Sequence, residues 1–432
     1  MRLPGGVPLV WHLGLGREIG FIFWGMVMVE ASFGAYVGIW PLWIEALGAP
    51  ITVVGFVLGS SGILRLLFMA PSASLADRFN PTRMIVLVRL AAAIGLITAG
   101  LAMHWTQLVP MVIGAALGDV AFPLVQAQLA RLAGEQRVRA FTLVFNVGPA
   151  VAFGIAPLFS AGLIALFGMR AAFIFAGVCS LLSVIMLSRI PSPPREEGAT
   201  RQRSSYREAL AQPTVKPLIT MQFAVIFALG LGISLLATFL ADQRGISPAI
   251  VAMLGGVGSA GAVVFGLVIT RSKFLQQNPM TGVVIGMLMV MASLAVILST
   301  HMVWLIALAF IGRGGLWSAW GLFGAALSEV IEDDRVRPRV FTLSEMFAGS
   351  AFSTSPIVSG QLYAIRPELP LLASMGLSAL FIPAILMAQR RIRPHATPQR
   401  GGEWRGTGRA GSGIEAAPAT PRNLTASSDK PS

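Results

Sequence analysis

Three ionisable side chains lie deep inside long apolar stretches of the sequence: Glu30, Asp119 and Arg313. An ionisable group inside a membrane-crossing helix is costly, and it usually faces a partner or a water-filled cavity. Glu30 lies about ten residues into its stretch, which is ~15 Å deep at 1.5 Å per residue. A carboxylate at that depth can carry a proton. An arginine there holds its charge and can bind an anion or neutralise a carboxylate.

The stretches that hold these residues are long enough to cross a bilayer, which takes about 20 residues each. We predict an all-α integral membrane protein with twelve spans. The predicted spans are 20–44, 51–72, 84–103, 108–129, 140–166, 171–187, 217–240, 248–270, 280–299, 303–327, 340–365 and 369–387. The runs do not alternate between apolar and polar residues, as the strands of a membrane β-barrel would.

Composition agrees with a membrane protein, since 55% of the 432 residues are hydrophobic and only 12% are charged. The net charge of +13 suggests nucleic acid at first sight, but most basic residues lie in alternate loops and in the last 43 positions. With the N-terminus in the cytoplasm, 26 of the 32 basic residues fall on the cytoplasmic side, so both termini are predicted to be cytoplasmic. No nucleic-acid partner is expected.

Other chemistries lack the residues that they need. No Walker-type glycine loop with a lysine is present, which argues against ATP-driven transport. The single cysteine and four scattered histidines indicate neither a disulfide nor a metal site. We therefore predict no cofactor, no metal, no catalytic residues and no enzymatic activity.

A polar segment divides the chain into two similar halves. We predict a cytoplasmic arm (1–19), an N-terminal six-helix bundle (20–188), a cytoplasmic linker (189–216), a C-terminal six-helix bundle (217–388) and a disordered cytoplasmic tail (389–432). The halves repeat short features at an offset near 198. The pairs are Asn80-Pro81 with Asn278-Pro279, Gly114 with Gly312, Arg137 with Arg335, and Phe141-Thr142-Leu143 with Phe341-Thr342-Leu343. Parallel repeats of this kind are typical of transporters, whose substrate cavity forms between the halves.

The sequence resembles the major facilitator superfamily from about residue 20 to 387. The resemblance rests on the twelve spans, the repeat, the central linker and the loop after span 2. The family pattern Gly-x-x-x-Asp-Arg-x-Gly-Arg-Arg reads here as Ala73, Asp77, Arg78, Asn80 and Arg83, so both glycines are replaced. In the family, spans 1, 4, 7 and 10 line the central cavity, and all three deep charges fall on that set.

The resemblance implies a cavity between the halves with Asp119 and Arg313 at similar depth. Two carboxylates against one arginine would leave one carboxylate without a countercharge, and we predict that this one carries the proton. Tryptophans at four and seven residues after Arg313 share its helix face and could form an aromatic wall. The candidate cavity residues are Glu30, Asp119, Arg313, Trp317, Trp320, Asn146, Gln126 and Gln222.

The loop motif also implies a cytoplasmic gate, in which Asp77 would latch near the start of span 11. The predicted gate residues are Asp77, Arg78, Arg83, Arg137, Arg139, Arg335, Arg339 and Glu345. The other reading of these charges is simple positive-inside anchoring.

Gly148-Pro149 in span 5 resembles the Gly-Pro motif of proton-antiporting drug exporters, with Ala152 and Phe153 in place of its later Gly-Gly. A helix bend is expected there. We predict a monomeric, proton-coupled secondary transporter of a small organic solute in the cell membrane, the inner membrane of a bacterium, that exports a drug-like or amphipathic compound. The alternatives are proton-coupled uptake of a small aromatic or organic acid, and a transport-inactive sensor or assembly partner.

Overall fold

A computed structural model describes residues 11–78, 80–191, 206–331 and 336–392, and these residues contain helices and no strand. The α-helices are α1 (Arg17–Val37), α2 (Trp40–Ala46), α3 (Ile51–Arg78), α4 (Pro81–Leu101), α5 (Val109–Asp119), α6 (Ala121–Leu132), α7 (Arg137–Thr142), α8 (Gly148–Phe167), α9 (Met169–Leu187), α10 (Tyr206–Ala211), α11 (Val215–Ser234), α12 (Leu236–Arg244), α13 (Pro248–Arg271), α14 (Lys273–Gln276), α15 (Pro279–Ser299), α16 (Val303–Gly312), α17 (Gly315–Val330), α18 (Arg337–Ile365) and α19 (Leu369–Ile392). The all-α prediction is confirmed.

Eleven helical stretches among the described residues are long and apolar enough to cross a membrane. They correspond to all predicted spans except span 11, which is α18. This helix has the length to cross but is rich in serine, and several of its serines are buried against other helices: Ser344, Ser353, Ser355 and Ser359. Polar side chains that bond within a bundle are compatible with a membrane helix, so low hydropathy alone does not remove α18 from the set.

The ends of the helices meet at two faces, which take the names cytoplasmic and extracellular from the predicted orientation. Two arginines at the extracellular face donate hydrogen bonds to carbonyls at the C-terminal ends of helices. Arg170 donates to the Ala102 carbonyl after α4, and Arg244 donates to the carbonyls of Ile297 and Leu298 in α15. A guanidinium neutralises the free carbonyls at a helix C-terminus. This role accounts for the two arginines on the extracellular face, which carries few basic residues.

Helix contacts reproduce the sequence repeat. A Cβ on Gly114 would meet the carbonyl oxygen of Ala91, and a Cβ on Gly312 would meet that of Met289. Both pairs are separated by the same offset of 198 that relates the two halves, so span 4 crosses span 3 as span 10 crosses span 9. The Asn-Pro pairs are also equivalent, because Pro81 and Pro279 each begin a helix. Small residues at such crossings allow close helix packing inside a membrane.

Spans 1, 4, 7 and 10 are each broken into two helices, and sequence analysis missed these breaks. Span 4 breaks after Asp119, which ends α5, and span 10 breaks at Arg313, which follows α16. Each break keeps a backbone hydrogen bond between residues three apart. Val120 N–H donates to the Leu117 carbonyl, and Arg313 N–H donates to the Phe310 carbonyl. Discontinuous helices are a common way for transporters to place backbone ends at a central site.

The two halves contact each other near the extracellular face. On one side α3 packs on α18, where added Cβ atoms on Gly55 and Gly59 would overlap the backbone of Pro356 and Ser353. On the other side α8 packs on α13, where a Cβ on Gly256 would come within 3.3 Å of a backbone oxygen in α8. The extracellular ends of the halves are thus closed against each other.

Parts of the predicted organisation lie outside the described residues. These include the tail from residue 393, linker residues 192–205 and the loop 332–335. The described part of the N-terminal arm folds back on α1, since the indole of Trp24 donates to the Trp11 carbonyl. The division into two bundles remains a prediction.

Candidate functional site

An ion pair joins α3 to the break in span 4. Arg65 Nη1 lies 3.5 Å from Asp119 Oδ2, and the two side chains are 35% and 40% exposed. Both residues lie in the interior of their spans and not in loops. Their exposure therefore indicates an open space within the helix bundle. Arg65 lies one turn after Gly62, where an added Cβ would also meet Ser353 of the second half.

A second arginine completes this group. Arg89 of α4 is only 6% exposed, and its guanidinium interacts electrostatically with Asp119 and Glu30. Its Nη2 lies 3.4 Å from Ser180 Oγ, while its Nε has no hydrogen-bond partner. We name Glu30, Arg65, Arg89 and Asp119 the charge cluster; it holds two carboxylates and two guanidiniums.

The charge cluster corrects one expectation from the sequence. The expectation is that two carboxylates, Glu30 and Asp119, share one arginine, Arg313. The ion pair of Asp119 is made with Arg65 of its own half, and Arg89 supplies a second positive charge. The prediction failed because α3 and α4 also direct long side chains into this space, and spacing along one span cannot show a neighbour's reach.

Arg313 lies in the second half, apart from the charge cluster. Its guanidinium carbon is 4.4 Å from the ring centre of Phe310, a distance suited to a cation–π contact. The opposite side of span 10 is fixed by close packing, since Gly314 abuts α13 and Gly315 abuts α15. Arg313 therefore points away from both helices.

An aromatic shelf continues from Arg313 along the same helix face. Trp317 and Trp320 stack with ring centres 6.3 Å apart, and Phe352 of α18 lies 6.1 and 6.2 Å from them. Trp320 Nε1 donates to Glu345 Oε1 at 3.1 Å. Sequence analysis missed Phe352; the available signal was its spacing of seven residues from Glu345 on one helix face.

The other predicted cavity residues differ in their burial and hydrogen bonding. Gln222 is 1% exposed and accepts from Ser344 Oγ at 2.6 Å, so it joins α11 to α18. Gln126 is exposed, whereas the nearby Gln128 is buried and accepts from Arg131. The side chain of Asn146 lies outside the described set.

A change of helix type lies where the sequence predicts a helix bend. A π-helical segment, Leu143–Val147, lies directly before Gly148 and Pro149. Gly148 N–H donates to the Leu143 carbonyl five residues back. A proline ring clashes with the carbonyl four residues before it, and a wider turn relieves that clash.

The predicted gate residues do not form one described network. Arg137 donates to the Ala130 carbonyl and Arg139 to the Leu13 carbonyl, so both tie parts of the first half together. Arg83 is exposed, and Glu345 belongs to the aromatic shelf. Arg339 is half-buried and has an interaction partner. The side chains of Asp77 and Arg78, and all of Arg335, lie outside the described residues.

A further polar group lies at the extracellular face, where the two halves meet. Tyr363 Oη of α18 donates to Asp242 Oδ2 at 3.0 Å, and Glu45 at the end of α2 lies near both groups. Glu45 belongs to the first half and Asp242 to the second. Partial burial, and then the negative charge of Asp242, raise the pKa of Glu45 above its ordinary value.

In the described part of the chain, no cluster of three or more His, Cys, Asp or Glu residues could hold a metal ion.

No curated protein matches the chain. A bacterial homologue of the human lysosomal transporter Spinster, inward-facing and unoccupied, superposes with a TM-score of 0.62 at 19% identity, covering 87% of this chain and 91% of that one. The nucleoside transporter NupG gives 0.69 at 14% identity, over 87% and 98%. A POT family transporter in complex with a thioalcohol-conjugated peptide gives 0.69 at 13%, over 90% and 99%.

These likenesses show the fold. The profile of the Major Facilitator Superfamily matches residues 22–356, more than three quarters of the sequence. The chain belongs to the major facilitator superfamily of transporters.

Proposed function

We propose that this superfamily member is a proton-coupled secondary transporter, which moves a small organic solute across the cell membrane by alternating access and acts as a monomer. The observation that carries the proposal is the charge cluster at the break in span 4. Two carboxylates inside membrane spans are held by two arginines of the same half. Ionisable groups kept at this depth are expensive, and proton relays are one of their main uses.

The position of Arg65 suggests how proton movement is coupled to rocking of the halves. Arg65 is carried by α3, which packs on α18 of the second half, while its partner Asp119 is on α5. Rocking at the α3–α18 contact would shift Arg65 relative to Asp119. A carboxylate that loses its countercharge inside the membrane favours the protonated form, so the proton replaces the arginine.

For direction we favour export of a drug-like or amphipathic compound. Gly148 and Pro149 begin α8, directly after the π-helical segment, and α8 packs on α13 of the second half. A change in the bend of this helix would move one half relative to the other. Proton-coupled uptake of a small aromatic or organic acid is the second candidate. Arg313 beside two tryptophans favours it.

The test is transport in proteoliposomes with an imposed pH gradient, over a panel of amphipathic and aromatic compounds. We expect at least one compound to move against its own gradient, and a protonophore to abolish that movement. The sidedness of accumulation distinguishes export from import. Movement that only equilibrates the compound would contradict proton coupling, and no movement of any compound would favour the transport-inactive alternative.

A further inference from the structure

Arg313 and Glu345 lie at opposite ends of the aromatic shelf, which consists of Trp317, Trp320 and Phe352. Arg313 is at the break in span 10, and Trp320 lies seven residues nearer the cytoplasmic face, or about 10 Å along a helix. The indole of Trp320 donates to Glu345. A positive group and a negative group are thus separated by a shelf about as long as two aromatic rings.

Neither charge is neutralised by an ion pair in the part of the chain that the structure describes. Arg313 contacts the face of the Phe310 ring, which leaves its N–H edges to other partners, and its Nε has no hydrogen bond. Glu345 is exposed and accepts from an uncharged indole. Unpaired charges inside a membrane protein usually meet a ligand or water.

The shelf itself offers apolar surface. Trp317 is 45% exposed and Phe352 is 40% exposed, although their rings touch each other. These two residues come from different helices, α17 and α18, which pack on each other. An aromatic ligand can stack on such a surface without displacing a packed core.

We propose that the substrate class is an amphoteric aromatic compound, with an anionic group bound by Arg313, an aromatic body on the shelf and a cationic group at Glu345. This inference rests on the proposed function, since it names the substrate of that cavity. Arg313 suits a carboxylate, because its planar fork donates two parallel hydrogen bonds. Glu345 suits an ammonium group, and the shelf sets the distance between the two.

The test measures ligand-induced thermal stabilisation of the purified full chain, because a ligand that binds only the folded form raises its apparent stability. The probes are 4′-(aminomethyl)biphenyl-4-carboxylate, its methyl ester, its N-acetyl derivative, and the single-ring analogue 4-(aminomethyl)benzoate. We expect the amphoteric biphenyl to bind at least tenfold more tightly than the ester or the N-acetyl compound. Binding is measured without a pH gradient, so its failure is distinct from failure of proton coupling.

Two variants assign the ends of the ligand. In Arg313→Gln the amphoteric biphenyl and its ester should bind alike, and in Glu345→Gln the amphoteric biphenyl and the N-acetyl compound should bind alike. Arg271→Gln and Glu18→Gln remove exposed charges elsewhere and should keep the full discrimination. The inference is overturned if no probe stabilises the wild type, if the wild type does not discriminate among the biphenyls, or if the two variants keep the wild-type discrimination.

Discussion

Arg65 and Asp119 are joined by an ion pair of 3.5 Å between two helices, α3 and α5, that pack on each other. α3 contacts the second half through α18, whereas α5 packs on α4 within the first half. The pair therefore links a helix of the contact between the halves to a helix of the charge cluster. We therefore expect a change at the α3–α18 contact to alter the surroundings of the Asp119 carboxylate.

Removing either partner of this pair should destabilise the protein, and removing both should recover part of the loss. Arg65→Gln or Asp119→Asn breaks the one ion pair between α3 and α5 that the described residues contain. The coupling energy is expected to be about 0.5–1 kcal/mol, small because both side chains are more than a third exposed. The measurement is a double-mutant cycle on denaturation in detergent. Strictly additive effects of the two substitutions would rule out the coupling.

Tyr363→Phe should weaken closure of the extracellular face. It keeps the ring but removes the hydroxyl that donates to Asp242, so this carboxylate repels Glu45 of the first half more strongly. With spin labels at positions 46 and 243, both exposed, the variant should show a larger share of long distances between the halves. Cys179 is buried and is replaced by serine in this background. An unchanged distance distribution would mean that the contact does not hold the face closed.

Acidic pH should favour the closed extracellular face. Closure partly buries Glu45 and brings it near Asp242, which raises its pKa; opening returns it to water and an ordinary pKa of about 4.3. The closed form then binds the proton more tightly, so its population grows as pH falls through the raised pKa. The neighbouring titratable groups are Tyr363 and Glu368.

The same pair of spin labels measures this pH response. Glu45→Gln should flatten the dependence, since an amide cannot titrate. A closed population that falls as the medium becomes more acidic would contradict the assignment.

The α3–α18 contact should tolerate no added side chain. Gly59→Ala places a methyl group against the backbone of α18, whereas Gly266→Ala in α13 meets nothing within 4 Å. We expect the first to lower the thermal midpoint by several degrees and to reduce the closed population, and the second to do neither. Equal behaviour of the two variants would show that the glycines are not needed for close approach.

Much of the fold could be predicted from the sequence, because the length of each hydrophobic stretch is a local property of the chain. The repeat was also visible, and the matched contacts of Gly114 and Gly312 confirm it in three dimensions. The helix breaks were not predicted, since Gly118-Asp119 and Gly312-Arg313 read equally well as continuous membrane helix. The partners of Asp119 were missed because they come from other spans, and side-chain reach is a tertiary property.

The central claim is that the charge cluster carries the proton, and it is tested most directly by comparing two modes of transport. Glu30→Gln, Asp119→Asn and the control Glu18→Gln are reconstituted, and both pH-driven accumulation and exchange of labelled substrate are measured. We predict that at least one of the two cluster variants loses accumulation but keeps exchange, while the control keeps both. Undiminished accumulation in both Glu30→Gln and Asp119→Asn would contradict the claim.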